Sequence, residues 1–249
     1  MNLEDFTIDG DTPLLHALEK IDRNEHGFLF CVDDRKKLQG VLTDGDIRRG
    51  LIDGATLESK TSDVMVKNFT YLTPQSDFEE VAEKFKSQKI KFLPITENGK
   101  LVNFLTKEQF HLLLLEDLRF DLLQDFDHLN EKTLEHEVYN RPWGFYKSTI
   151  YTDYAQAKII TVFPEGELSF QEHKKREEHW VIVKGHGKVR LDDSILDVYP
   201  GKYIFIPKGC KHQIINTSEK DNLIFTEVQL GEYFGEDDII RYSDKYNRS

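Results

Sequence analysis

Apolar and polar positions in the first half of the chain follow one pattern that occurs twice. Apolar residues at helical spacing over residues 13–21 predict a helix, and the apolar runs 28–32 and 38–42, separated by a charged turn, predict two strands. A further helix is predicted to start near Asp46, because carboxylates stabilise the first turn of a helix. The same order of elements returns over residues 78–115, so the first half is predicted to be an internal repeat.

The second half of the chain has a different pattern, in which short apolar runs are separated by turn residues. Such spacing is typical of an all-β sandwich or barrel. The predicted strands include residues 158–163, 180–184, 188–191, 203–206 and 222–228. Between the two halves, Leu118, Leu122 and Phe126 recur at helical spacing and predict a linker helix.

Together these patterns predict a multidomain chain of the α+β class. Residues 1–116 are expected to form a repeated α/β pair, with units of about 1–60 and 61–116. Residues 117–137 are expected to form the linker helix, and residues 138–249 an all-β barrel.

Composition narrows the possible partners and the cellular location. The net charge of −12, from 33 basic and 45 acidic residues, disfavours nucleic acid and anionic membranes as partners. The longest apolar runs, such as residues 112–115, are too short for a membrane span, and the acidic N-terminus lacks the pattern of a signal peptide. Cys31 and Cys210 lie in or beside apolar strands, which predicts two reduced, buried thiols. We therefore expect a cytoplasmic protein.

Four polar residues of the second half have the types and the spacing of a metal site. Gln171 and His173 point to the same face of one strand, since successive side chains alternate. A charged turn then brings Glu178 to face them, and His212 opens a separate strand. Two imidazoles, a carboxylate and an amide oxygen suit a divalent cation, zinc first, with manganese, iron, cobalt or nickel as alternatives. The competing interpretation is structural histidines beside a solvated Glu178, but the joint spacing favours metal binding.

The spacing around these residues resembles the two cupin motifs. The second motif is matched at each fixed position by Gly201, Pro207, Gly209, His212 and Asn216. In the first motif Gln171 stands where cupins have a histidine, and the run 168–180 resembles the signature of type II phosphomannose isomerases. The resemblance covers residues 138–249 and implies a jelly-roll barrel, also called a double-stranded β-helix. In that family the domain usually follows a mannose-1-phosphate guanylyltransferase domain, which residues 1–116 do not resemble.

The resemblance also implies an activity and a substrate. It implies metal-dependent interconversion of mannose 6-phosphate and fructose 6-phosphate, in support of GDP-mannose and surface polysaccharide synthesis. A metal ion acts in such a reaction as a Lewis acid on a sugar oxygen while a proton moves between two carbons. Two rival interpretations remain open. One is another sugar-phosphate or nucleotide-sugar cupin enzyme, such as an epimerase, and the other is a non-catalytic sensor that binds metal, sugar and nucleotide without turnover.

A dianionic phosphate in this acidic chain requires local cations. Arg241 matches the arginine that the family uses in catalysis and phosphate recognition, and its alternative role is a salt bridge to an acid at 236–238. Lys158 matches a lysine of the family's first strand, where it would serve as acid or base or pair with a carboxylate. Substrate contacts are expected from Arg176, Lys188, Glu227 and Gln229, of which the last two could instead bond within the barrel.

The repeated first half resembles a tandem pair of CBS domains. CBS pairs commonly bind adenosine nucleotides through a Gly-x-x-Thr/Ser-x-x-Asp pattern, which Gly40, Thr43 and Asp46 match. The second copy departs from it, with Asn103 for the glycine and Gln109 for the aspartate, so at most one nucleotide site is expected. The alternative for Thr43 and Asp46 is a helix cap alone. Both families tend to form dimers, which implies a homodimer.

Overall fold

The chain divides into two compact units. The computed structural model describes residues 3–129, 134, 137–243 and 245–246. One unit comprises residues 1–111 with 119–130, and the other residues 112–118 with 131–249. Within the described ranges, no helix combines the length and the hydropathy that a membrane span requires.

The first unit contains the predicted repeat. Its first copy consists of β1 (Thr7–Asp9), α1 (Leu14–Asn24), β2 (Phe28–Val32), β3 (Leu38–Thr43) and α2 (Asp44–Ile52). β1 pairs parallel with β2, which pairs antiparallel with β3. On α1 the buried residues are Leu14, Ala17 and Ile21, because their spacing places them on one face of the helix.

The second copy has the same order and packs against the first through aromatic rings. It consists of α3 (Thr61–Val64), α4 (Phe78–Phe85), β4 (Phe92–Glu97), β5 (Lys100–Thr106) and α5 (Lys107–Leu115). A parallel bridge between Leu72 and Ile95 takes the place that β1 has in the first copy. Phe28 stacks on Phe92 with ring centroids 3.8 Å apart, so the two copies share a core.

The linker helix predicted over residues 117–137 is wrong for the part that the structure describes. That part contains turns and one short 3-10 turn, Phe126–His128, instead of an α-helix. The Asn103 side chain donates hydrogen bonds to the carbonyls of Leu122 and Gln124 at 2.9 and 3.0 Å, so a tertiary contact takes carbonyls that a helix would use. Residues 130–133, 135 and 136 lie outside the described residues.

The second unit is the predicted all-β domain. Its strands are β6 (Val138–Arg141), β7 (Gly144–Tyr151), β8 (Ala155–Val162), β9 (Phe170–His173), β10 (Arg176–Lys184), β11 (Gly187–Leu191), β12 (Ser194–Val198), β13 (Tyr203–Ile206), β14 (His212–Asn216), β15 (Leu223–Gly231) and β16 (Ile239–Ser243). Six strands form one antiparallel sheet in the order β13-β10-β15-β8-β7-β6, and five form a second in the order β12-β11-β14-β9-β16. This architecture confirms the predicted jelly roll.

The two sheets enclose a single apolar core. Trp180 and Phe225 from the first sheet pack there with Val189 and Ile214 from the second. Close contact between β7 and β8 explains one glycine of the chain, since a Cβ on Gly144 would lie only 1.9 Å from a backbone oxygen. The core is thus built from the inward positions of both sheets, as the strand alternation predicts.

Both cysteines are free thiols. Cys31 is buried in β2, and burial, together with the charges of Asp9 and Asp46, raises the pKa of its thiol to about 12. Cys210 is only half-buried and donates a weak hydrogen bond to Asp192, so the prediction of two buried thiols holds for Cys31 alone.

Candidate metal centre

Three strands of the second unit bring the predicted metal ligands together. Gln171 and His173 are two residues apart on β9, so their side chains share one face of the strand. A two-residue turn then leads to β10, which carries Glu178. His212 opens β14 and pairs in register with Gln171. His173, Glu178 and His212 are 2%, 1% and 1% exposed, and one ligand atom from each lies within 4.8 Å of the others. A cluster so deeply buried rules out the alternative of a solvated Glu178.

The histidine tautomers and the orphaned atoms of this cluster fit a divalent cation. The Glu178 carboxylate lies 3.0 Å from Nε2 of His173 and 3.5 Å from Nε2 of His212. His212 Nδ1 is 3.0 Å from the Cys210 carbonyl, which only accepts, so Nδ1 carries the proton. His212 Nε2 therefore keeps its lone pair, and it is buried without a hydrogen-bond partner among the described residues. A metal ion would satisfy that lone pair.

The fourth predicted ligand, Gln171, lies at the cluster with its amide turned the other way. Its Nε2 is 3.4 Å from Nε2 of His173, while the Ser169 hydroxyl donates to its Oε1 at 2.7 Å. An amide nitrogen has no free lone pair for a cation. A half-turn of the amide would present the oxygen instead, and the Ser169 hydroxyl could then accept from the nitrogen.

A second buried carboxylate, Glu227, lies beside the ligand carboxylate. The indole Nε1 of Trp180 donates to both Glu178 Oε2 and Glu227 Oε2, at 3.1 and 2.9 Å. Gln229 Nε2 donates to the other oxygens of Glu178 and Glu227, at 2.8 and 3.0 Å. Adjacent strands produce this arrangement, because Glu178 pairs with Gln229 and Trp180 with Glu227 in the register of β10 and β15.

The two carboxylates differ in protonation. Burial raises the pKa of Glu227 to about 7; the Glu178 charge acts in the same direction and Lys158 opposes it. Burial also raises the pKa of Glu178, but the bond from His173 and the charges of His212 and Arg176 outweigh it and leave that pKa below its usual range. Burial lowers the pKa of His212. The ligand set therefore contains an ionised carboxylate and a neutral imidazole, the forms that bind metals.

Two of the predicted cations lie inside the barrel. Lys158 Nζ donates to Gln229 Oε1 at 3.3 Å and lies 3.5 Å from Glu227 Oε1, so its carboxylate partner is in place. Arg176 is buried, with Nε 3.6 Å from Glu178 Oε1 and one terminal nitrogen 3.5 Å from His173 Nε2. Arg176 thus contacts the metal ligands themselves.

The remaining predicted cations have different outcomes. Lys188 is exposed and lies outside the site, because the next residue, Val189, points into the core and alternation turns Lys188 outward. The structure therefore does not bring Lys188 to the buried cluster, and its contact with substrate stays a prediction. Arg241 pairs with Gln171 in the register of β16 and β9, and one of its terminal nitrogens is 3.9 Å from Glu236. The predicted alternative, a salt bridge to an acid at 236–238, is thus present.

Sequence reasoning did not include three residues that shape the site. Trp180 shares the inward face of β10 with Glu178. The two residues are two positions apart on a strand, so the sequence alone could have predicted this shared face. Tyr146 lies with its ring centroid 5.2 Å from Lys158 Nζ. Arg141 contacts Glu236 across 95 residues of sequence, a relationship that local patterns do not reveal.

In the first unit, Thr43 and Asp46 form a helix cap. The Thr43 hydroxyl accepts from the Asp46 N–H, and the Asp46 carboxylate accepts from the Thr43 N–H at 2.9 Å. The other carboxylate oxygen of Asp46 is 2.5 Å from Arg49. Thr106 and Gln109 form the same cap in the second copy, with a neutral amide in place of the carboxylate. A nucleotide bound at Asp46 would share this carboxylate with the helix cap and with Arg49.

Fold and site together define a cupin barrel with a candidate metal centre, joined to a repeated α/β pair, and comparison with known families names the family that each part matches. Residues 127–244 match the family described as mannose-6-phosphate isomerase C-terminal. Residues 1–53 and 62–115 match the CBS domain family. The first half of the chain thus matches the CBS domain family twice, and the second half matches the mannose-6-phosphate isomerase C-terminal family.

Curated relatives resemble only part of the chain. It is 42% identical over 120 residues to mannose-1-phosphate guanylyltransferase of Salmonella montevideo, a match that covers 48% of this chain and 25% of that protein. It is 37% identical over 165 residues to the alginate biosynthesis protein AlgA of Pseudomonas aeruginosa, covering 61% of this chain and 34% of the relative. The chain thus spans about a quarter to a third of the length of these relatives.

A solved cupin-2 domain from Rhodospirillum rubrum is also similar. It is 16% identical, with a TM-score of 0.38, and the match covers 43% of this chain and 74% of that one. The cupin assignment of the second unit rests on its family match and its two antiparallel sheets.

Proposed function

We propose that the second unit is a divalent-metal-dependent isomerase that interconverts mannose 6-phosphate and fructose 6-phosphate. The observation that carries the proposal is a buried His173–Glu178–His212 cluster next to a second carboxyl group, Glu227, whose pKa lies near neutrality. Relatives named for mannose-1-phosphate guanylyltransferase and for alginate and xanthan biosynthesis support a role in polysaccharide biosynthesis. We propose that the protein supplies sugars for surface polysaccharide and that it acts in the cytoplasm.

Each residue of the site has a part in this reaction. A bound divalent ion would supply Lewis acidity toward the sugar oxygens. His173, Glu178 and His212 would hold the ion. Glu227 is the group we assign to proton transfer, since an acid with a pKa of about 7 can accept and return a proton at neutral pH. Lys158, 3.5 Å away, stabilises the charged form of Glu227.

The direct test is a coupled assay of fructose 6-phosphate formation from mannose 6-phosphate. We expect turnover that disappears on chelation and returns with a divalent metal. His173→Ala should abolish it, since it removes a ligand. His179→Ala is the matched control, because His179 lies on the opposite face of the same strand and bonds Tyr203 instead. Absence of turnover with every metal, in protein that still binds one, would rule out the isomerase.

The same assay separates the proposal from its closest rival. An epimerase in this barrel would use the same metal ligands and act on a different sugar phosphate or nucleotide sugar. A panel of such substrates, analysed for both ketose formation and epimer formation, therefore distinguishes the two activities. Epimer formation that depends on His173, without ketose formation, would replace the isomerase proposal.

A further inference from the structure

Two arginines of the second unit converge on one exposed carboxylate. A terminal nitrogen of Arg141 lies 2.5 Å from Glu236 Oε1, and a terminal nitrogen of Arg241 lies 3.9 Å from Glu236 Oε2. The arginine side chains are 24% and 22% exposed, whereas that of Glu236 is 63% exposed. The acid is thus the outermost and most solvated member of the group.

The protein holds both arginines in place independently of Glu236. The Arg141 guanidinium carbon lies over the rings of Tyr139 and Tyr146, 5.0 and 5.7 Å from their centroids. Arg241 is fixed on β16 opposite Gln171. Its Nε is buried and has no hydrogen-bond partner within the ranges that the structure describes. A buried, unpaired guanidinium N–H is a donor that lacks an acceptor.

This group lies next to the metal centre. Arg176 donates to the carbonyl of Gly235, the residue before Glu236, at 3.2 Å. Another nitrogen of Arg176 is 3.5 Å from the His173 imidazole, so the Arg176 side chain extends from the turn at Gly235 to the candidate metal ligands. Lys158 and Arg141 both lie against the Tyr146 ring. Lys158 and Arg176 are paired with Glu227 and Glu178, whereas Arg141 and Arg241 present two positive charges to the single carboxylate of Glu236.

The family resemblance already implies that Arg241 recognises the phosphate of a sugar phosphate. We propose that Glu236 is a built-in competitor at this place: when no substrate is bound, its carboxylate occupies the position between Arg141 and Arg241 that the phosphate would take, and the phosphate must displace it. The identity of the sugar rests on the function proposed above. A phosphate carries more charge than a carboxylate and offers acceptor oxygens to both guanidinium groups. Ion pairs of exposed side chains are weak, so Glu236 can leave at small energetic cost.

The test uses inorganic phosphate as the probe and needs no turnover. Calorimetric titration of the full-length protein in the presence of a chelator measures phosphate affinity without a metal contribution. We expect Glu236→Gln to bind phosphate about fivefold more tightly than wild type, the scale of an exposed ion pair. Asp237→Asn is the matched control, because it removes one negative charge at the next position, where Asp237 bonds Tyr233 and neither arginine.

A second variant tests the arginine side. Arg141→Gln should weaken phosphate binding at least tenfold, on the scale of a charge-assisted hydrogen bond. Its folding is checked by thermal melting, and Arg141→Lys supplies a conservative variant in which part of the affinity should return. The proposal is overturned if Glu236→Gln binds no more tightly than Asp237→Asn, or if well-folded Arg141→Gln binds phosphate like wild type.

These results are separable from those on the isomerase. Phosphate binding that follows the expected order, without turnover of mannose 6-phosphate, supports the anion site and contradicts the isomerase. If the enzyme is active, Glu236→Gln should lower the KM for mannose 6-phosphate. Turnover combined with a KM and phosphate affinity unchanged in Glu236→Gln contradicts the competition and leaves the isomerase intact.

Discussion

Glu178 and Glu227 share two hydrogen-bond donors, the indole N–H of Trp180 and the side-chain amide of Gln229. Each donor bridges one oxygen of each carboxylate. Glu178 belongs to the candidate metal cluster and Glu227 lies beside it, so the bridge couples the position of a proposed ligand to that of the group assigned to proton transfer. Removing a bridging donor should therefore affect metal binding as well as catalysis.

Trp180→Phe removes the shared indole donor and keeps most of the ring volume. We expect zinc affinity to fall by about tenfold, the usual scale for loss of a hydrogen bond to a ligating carboxylate. Zinc affinity is measured by competition with a chromogenic chelator. Trp143→Phe is the control, because Trp143 belongs to the same core and its Nε1 has no hydrogen-bond partner among the residues described. Equal zinc affinities of the two variants would contradict the role of the bridge.

Glu227 should make the metal-free protein less stable as pH rises. Its pKa is about 7 when folded, above the 4.5 of an unperturbed glutamate, so the folded state binds more protons between these two values. The unfolding free energy then falls as pH increases through this window. Glu227→Gln removes the titration, and its stability relative to wild type should improve from pH 4.5 to pH 7. Urea unfolding of chelated protein at a series of pH values measures the slope, and a relative decline of the variant would contradict it.

Nucleotide binding by the CBS pair should depend on the first copy alone. The second copy has Gln109 in place of the aspartate. Asn103, which stands where the first copy has a glycine, donates a side-chain hydrogen bond to the carbonyl of Leu122. We expect at most one adenosine nucleotide per chain in calorimetric titration, and loss of that binding in Asp46→Asn, which keeps an acceptor for the helix cap. Asp77→Asn, at the N-cap of α4, is the control. Binding that survives Asp46→Asn would contradict a site built on this carboxylate.

The candidate site was predictable where a local rule governs it. Alternation along β9 and β10, with the cupin resemblance, placed His173, Glu178 and His212 together, and the structure brings them within 4.8 Å. The same alternation turns Lys188 away from the core, because its neighbour Val189 is apolar and buried. Lys188 was selected by residue type alone, and the face of the strand that a cation occupies is a further condition.

Other features depend on contacts between distant segments, which periodicity does not contain. Apolar spacing in residues 117–137 predicted a helix, but the Asn103 side chain bonds carbonyls 19 and 21 residues away and holds the segment in a different form. The contact between Arg141 and Glu236 joins residues 95 positions apart. No local pattern relates these partners, so the position of Glu236 between Arg141 and Arg241 could be recognised only from the folded chain, although the family resemblance already pointed to Arg241.

The most direct test of the central claim is a metal titration followed by activity in the same sample. Zinc is added to protein from which a chelator has removed metal, while fructose 6-phosphate formation from mannose 6-phosphate is recorded. Parallel titrations use manganese, cobalt, iron and nickel. The account predicts activity that rises in proportion to bound metal and saturates at about one ion per chain, as expected for one cluster of three buried ligands. Metal that binds at this ratio without producing activity, or activity that persists in chelated protein, would contradict it.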